Sequence, residues 1–136
     1  MECVMNDRVS SIQVSLLKHQ LSTRLGVLRG ILREHLLKSD DDRMRLLADR
    51  VGDEEDASVS DLLVDLDLAE IDRDIEELRD VEAALERIRV QAYGVCIGCG
   101  SAVPFERLRA YPTAKRCIRC QRAREKAFAH TPTPSL

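Results

Sequence analysis

Cys96, Cys99, Cys117 and Cys120 form two C-x2-C pairs separated by seventeen residues, and no other feature of the chain restricts its fold as much. Each C-x2-C knuckle turns two thiolates toward one point, and the loop between the pairs brings the second opposite the first. That is the donor set of a tetrahedral zinc ion. Gly98 and Gly100 flank Cys99, where a tight knuckle needs backbone freedom that includes positive φ. Two disulfides in a secreted mini-domain would use the same residues, but the chain shows no signal peptide and a fifth cysteine, Cys3, has no partner. A redox pair would sit at a helix N-terminus in a βαβ setting, and one pair would suffice. One structural Zn2+ is therefore the expected cofactor. Four cysteines close its coordination sphere and leave no position for a substrate or an activated water. With no nucleophile–base pair elsewhere, the chain is expected not to be an enzyme.

Ahead of the cysteines, apolar residues recur at helical spacing. Val14, Leu17, Leu21, Leu25, Leu28, Leu32 and Leu36 step by three and four, which is one stripe of a helix. No proline occurs before residue 104, so nothing forces an early break. The stripe either continues through Met44, Leu47 and Val51 or restarts after a kink at Ser39-Asp40-Asp41-Asp42, where a fresh N-cap is available. Residues 52–58 lack periodicity and carry turn formers. A second stripe follows at Val64, Leu68, Ile71, Ile75, Leu78, Val81, Leu85, Ile88 and Ala92, ended by Tyr93-Gly94. Two such faces joined by a short turn should close on each other as an antiparallel hairpin, since neither helix can bury its face alone. Arms of about 35–40 residues would reach roughly 50–60 Å.

The expected fold is thus mainly α. Residues 1–92 make a long antiparallel coiled-coil hairpin with an acidic tip near 52–58. Residues 93–128 make a small C4 zinc-finger module with a short C-terminal closing helix, and 129–136 a disordered tail. Composition agrees: 44% hydrophobic but only 3% aromatic and 33% charged, a profile of amphipathic helices more than of a large globular core. No apolar run approaches the about 20 residues of a membrane span, and cytoplasmic location is expected. The net charge of −3 hides a division. Residues 40–82 carry eighteen acidic and five basic side chains, whereas 106–126 carry two acidic and eight basic. The first block repels nucleic acid and the second suits phosphate or acidic surfaces.

Several stretches together resemble the DksA/TraR family, bacterial transcription factors that enter the secondary channel of RNA polymerase. They are Tyr93-Gly94-x-Cys96-x-x-Cys99-Gly100, then Arg107-Leu108-x-Ala110-x-Pro112-Thr113-Ala114-x-x-Cys117-Ile118-x-Cys120, and the acidic run Asp53-Glu54-Glu55-Asp56. The resemblance covers roughly residues 10 to 126. It implies a partner, RNA polymerase, and an Asp-x-x-Asp-x-Ala tip placed near the polymerase active centre. Matched by position, the tip is Asp53, Asp56 and Ser58, with serine where the family has alanine. Arg73 falls where the family uses a cation on the coil against polymerase. Family positions that help hold the alarmone ppGpp are basic, whereas here they are Asp80, Tyr111 and Gln121. An acid facing a polyanion is unfavourable, so ppGpp synergy is expected to be weak or absent unless Arg79, Arg109 or Arg122 substitutes.

The expected function is regulation of transcription: a monomer binds polymerase, sets acidic tip residues near its active centre, and alters promoter open-complex stability. Sequence-specific DNA binding is not expected. The alternatives are a nucleic-acid-binding zinc finger using the basic block, which lacks interleaved aromatics for base stacking, and a structural or dimerising coiled coil.

Overall fold

The computed structural model describes residues 8–53, Val59, Leu63 and 71–129. Within them lie five helices: α1 (Ser11–Leu37), α2 (Asp42–Asp53), α3 (Asp72–Arg89), α4 (Phe105–Ala110) and α5 (Ile118–Ala129). No strand occurs among these residues, only an isolated bridge between Val95 and Ala102. The mainly helical class holds. No described helix is long and apolar enough to cross a membrane.

Helix α1 starts on a capping box. The Ser10 hydroxyl accepts the Gln13 N–H at 3.1 Å, and Gln13 Oε1 accepts the Ser10 N–H at 2.9 Å, so two otherwise orphaned donors are satisfied reciprocally. Its stripe packs as the spacing predicts: Leu17, Leu21, Leu28, Leu32 and Leu36 are buried, with Val14 and Leu25 partly so.

The kink is the outcome at residues 39–42. Helix α1 ends at Leu37, and α2 turns back to pack along it. The short polar side chains bring this about by bonding the backbone locally, which competes with helix continuation. The Asp41 carboxylate accepts the Arg43 N–H at 2.9 Å, and the Asp41 N–H donates to Ser39 Oγ at 3.1 Å. Helix α2 then buries Ala48 and Val51 completely, with Met44 and Leu47 partly covered. The first arm is therefore 27 continuous residues, about 40 Å, followed by a return helix.

Helix α3 packs along α1, pinned by a bidentate pair between Arg24 and Glu77. Its seam runs Ile71, Ile75, Leu78, Val81 and Ala84. Repeated steps of three drift around the helix, so Ala84 occupies the buried place that the stripe assigns to Leu85, which is only partly covered. Val59 and Leu63 are also fully buried, and the Val59 N–H donates to Glu82 Oε2 at 2.9 Å. Val59 is therefore held against α3. Val64 and Leu68 of the expected stripe, and the tail from residue 130, lie outside the described residues.

Helix α3 stops at Arg89, three residues before the expected end. The Ala92 N–H bonds the Arg87 carbonyl at 2.7 Å and the Gln91 N–H bonds the Ile88 carbonyl at 3.1 Å. This is a Schellman motif with its left-handed position filled by Gln91, at φ 61°. The chain then enters the C-terminal module, whose small core is Tyr93, Cys96, Val103, Leu108 and Ala114. No other described helix packs closely along α5, and residues 122–128 are exposed throughout.

Candidate functional site

The four cysteines converge. Their sulfur atoms all lie within 4.8 Å of one another, and Cys99 and Cys117 stand 3.8 Å apart. A zinc ion at about 2.3 Å from each of four sulfurs requires an edge of about 3.8 Å, so the cluster has the dimensions of a C4 site. Backbone geometry holds the knuckle. The Gly98 N–H points at Cys96 Sγ at 3.3 Å, and Gly100 has φ 76°. A Cβ on Gly98 would lie 3.2 Å from Cys120 Sγ, so that position needs glycine for close approach, while Gly100 needs it for its dihedral.

The electrostatics ask for a cation. Burial alone would raise the Cys96 thiol, but N–H groups of Cys117, Cys99 and Gly98 outweigh it and bring Cys96 down to about 6. The Ser101 hydroxyl and N–H lower Cys99. Cys120, crowded by the sulfurs of Cys96, Cys117 and Cys99, is pushed up to about 12. Four sulfurs at this spacing cannot all be thiolate unless positive charge sits among them, and a dication supplies it. Cys96, Cys99, Cys117 and Cys120 hold one structural zinc.

A strap of residues 111–116 joins this centre to the helices. Four of its carbonyls are engaged by groups outside the strap. Pro112 accepts the Tyr93 hydroxyl at 2.7 Å, and Thr113 accepts Arg87 Nη2 at 3.5 Å. Lys115 accepts the Ile97 N–H at 2.9 Å, and Arg116 accepts Arg107 Nε at 3.0 Å. Burial pushes Tyr93 up to about 12 against the opposing effect of Arg87, so its donor proton is retained at neutral pH. Burial likewise lowers Arg87. Sequence reasoning did not single out Tyr93 or Arg87 for this role. Their signal was faint: an aromatic beside Gly94, and a cation on a helix face otherwise read as solvated.

The remaining expected residues are dispersed. Arg73 is exposed on α3. Asp53 is the last residue of α2, and Asp56 and Ser58 lie outside the described residues. Asp80, Tyr111 and Gln121 do come together, around a cleft of about 380 Å3 that also includes Arg107, Lys115 and Arg122. Arg79 does not line it, nor does Arg109, which pairs with Glu106 at 2.8 Å.

A helical scaffold ending in a closed four-cysteine site defines a C4 zinc-finger protein with a structural metal. Residues 91–126 match the prokaryotic DksA/TraR C4-type zinc finger. It is 35% identical over 85 residues to the RNA polymerase-binding transcription factor DksA of Haemophilus influenzae, covering 60% of this chain and 54% of that one. The chain spans between about a third and about half of the length of the curated relatives it matches. Among solved structures, transcription factor DksA2 from Pseudomonas aeruginosa shares the fold with a TM-score of 0.61 at 23% identity, over 89% of each chain. The DnaK suppressor protein from Agrobacterium tumefaciens matches with a TM-score of 0.56 at 29% identity, over 84% of this chain and 96% of that one.

Proposed function

We propose that the chain is a non-enzymatic regulator that binds RNA polymerase through its secondary channel and modulates open-complex stability. The DksA/TraR zinc finger set at the foot of an antiparallel helical scaffold is the observation that carries this reading. In it, Asp53 and Asp56 are the tip acids, Ser58 completes the tip, and Arg73 faces polymerase from the coil. The zinc module and the exposed basic helix α5 hold the outer rim. The same reading takes the protein as a cytoplasmic monomer of two parts, 1–92 and 93–128, and takes ppGpp synergy as weak because Asp80, Tyr111 and Gln121 are not basic, with Arg122 of the same cleft the residue that would restore it.

One conformational step belongs to this mechanism. Asp53 ends a helix that runs back along α1, so for it to lead a rod, α2 must swing into line with α1. The apolar period continues from Leu36 through Met44, Leu47 and Val51 with no proline or glycine between residues 31 and 51, so a continuous helix is sterically open. The Asp41 cap and the buried Ala48 and Val51 oppose it.

The test is transcription in vitro with purified polymerase, comparing the wild type with Asp56→Asn, with and without ppGpp. The wild type should change open-complex lifetime, the variant should lose most of that effect while still binding, and ppGpp should add little. An inert wild type that shifts free DNA in a salt-dependent manner would replace this reading with nucleic-acid binding through the basic block.

A further inference from the structure

Both arms of the expected hairpin are broken, and the breaks match. Helix α1 ends at Leu37 and α2 begins at Asp42, while α3 begins at Asp72 after a non-helical Ile71 at φ −114° and ψ 4°. Asp41 stands twelve residues before Asp53, and Ile71 stands thirteen after Ser58. In an antiparallel hairpin, residues equidistant from the turn lie side by side, so the two breaks fall at one height. Beyond each break the chain is found back against the part nearer the metal. Helix α2 packs along α1. On the other arm, the Val59 N–H donates to Glu82 Oε2 at 2.9 Å, whereas one continuous helix would hold these residues about 34 Å apart along its axis. Ala48 records the same reversal. It lies outside the Met44, Leu47 and Val51 stripe, yet it is buried completely while Leu47 is only partly covered.

We infer that this is a retracted form of the rod, folded in half at a hinge made of residues 38–41 and Ile71, and that retraction is autoinhibitory. The inference rests on the function proposed above, because a retracted rod keeps Asp53 from leading into a channel. Straightening is open to both arms. No proline precedes residue 104, and no side-chain hydrogen bond caps the start of α3, so neither break is forced by the chain itself. The Val59–Glu82 bond, the Asp41 cap and the burial of Ala48 hold the retracted form. A deep, narrow channel accepts only the straight one, so apparent affinity falls by the fraction of molecules that are straight.

The experiment measures, by pulsed dipolar electron paramagnetic resonance, the distance between genetically encoded spin labels at Ser22 and Asp49. Both positions are exposed, and such labels spare the zinc cysteines. Folded back, the pair should stand about 15–25 Å apart, and in a straight arm about 40 Å. The same proteins are assayed for open-complex lifetime with purified polymerase, and zinc content and helicity are checked for each. Asp42→Pro locks retraction, because Asp42 is the first residue of α2, where proline is accepted, whereas proline inside a continuous helix breaks it. Ala48→Glu/Glu82→Ala releases it. The free wild type should show the short distance. Asp42→Pro should keep that distance and lose at least tenfold in its effect on polymerase. The released variant should populate the long distance and act at severalfold lower concentration than the wild type. A free wild type with only the long distance, or Asp42→Pro as active as the wild type, overturns the switch and leaves the polymerase reading intact. Wild type and released variant both inert would remove the two together, while an inert wild type beside an active released variant supports both.

Discussion

Gln91 carries backbone strain that its sequence position does not announce. It occupies the left-handed corner of the α3 terminus at φ 61°, a place where glycine is the usual residue and other side chains crowd the backbone. Gln91→Gly should therefore raise thermal stability by up to about 1 kcal/mol, the relieved strain slightly exceeding the extra entropy of a glycine in the unfolded chain. Calorimetry showing an unchanged or lower Tm would contradict this. The helix end was misplaced for the same reason: Tyr93-Gly94 looks like the stop signal, and only the hydrogen bonds reveal that Gln91 has already ended the helix. Other residue-level features were legible. Ser10-x-x-Gln13 has the pattern of a capping box. The cysteine spacing identified all four ligands.

At the level of elements, the two apolar stripes specified α1 and α3 because period and burial coincide. The stripe could not decide whether α2 prolongs α1 or reverses, since its apolar residues keep helical spacing in either case. The reversal is held by charge-dependent contacts, and its pH dependence follows. The Arg43 N–H, and secondarily its guanidinium, hold the Asp41 carboxyl below the usual carboxylate range. Arg24 does the same to Glu77 across α1 and α3. For a carboxylate whose folded value is depressed, the stabilisation is complete above its unfolded value and is lost as pH falls through the folded one. Helicity and Tm should thus be flat near neutrality and fall below about pH 4. Asp41→Asn keeps an oxygen acceptor without the titration, so its acid-induced loss should be smaller than that of the wild type. Circular dichroism melts between neutral and strongly acidic pH check this, and identical profiles for both proteins would deny Asp41 its part. The Arg24–Glu77 pair is more than a third exposed on both sides and contributes at most about 1 kcal/mol. It registers the helices more than it stabilises them.

For the whole molecule, the metal and the strap make one mechanical unit. The C-terminal module buries only a handful of apolar side chains, too few to fold unaided at its size, so zinc stands in for a core. Its effect reaches the helices because the segment carrying Cys117 is also the one whose carbonyls take Tyr93 and Arg87. Chelation should release fast amide exchange at Ile97 and Ala114, whose N–H groups bond within the module, while amides in the middle of α1 and α3 stay protected. Equal protection of the module before and after chelation would contradict a structural role for the metal. The sequence by itself determined the zinc ligands, the apolar faces of the helices and the division into an acidic middle and a basic end. Each of these rests on spacing or composition along one stretch of chain. Only the tertiary structure decided that α2 folds back, that Val59 bonds Glu82 of α3, and that Tyr93, Arg87 and the strap join metal to scaffold. Those outcomes depend on which surfaces meet across long separations in sequence, and the same local pattern fits more than one such meeting.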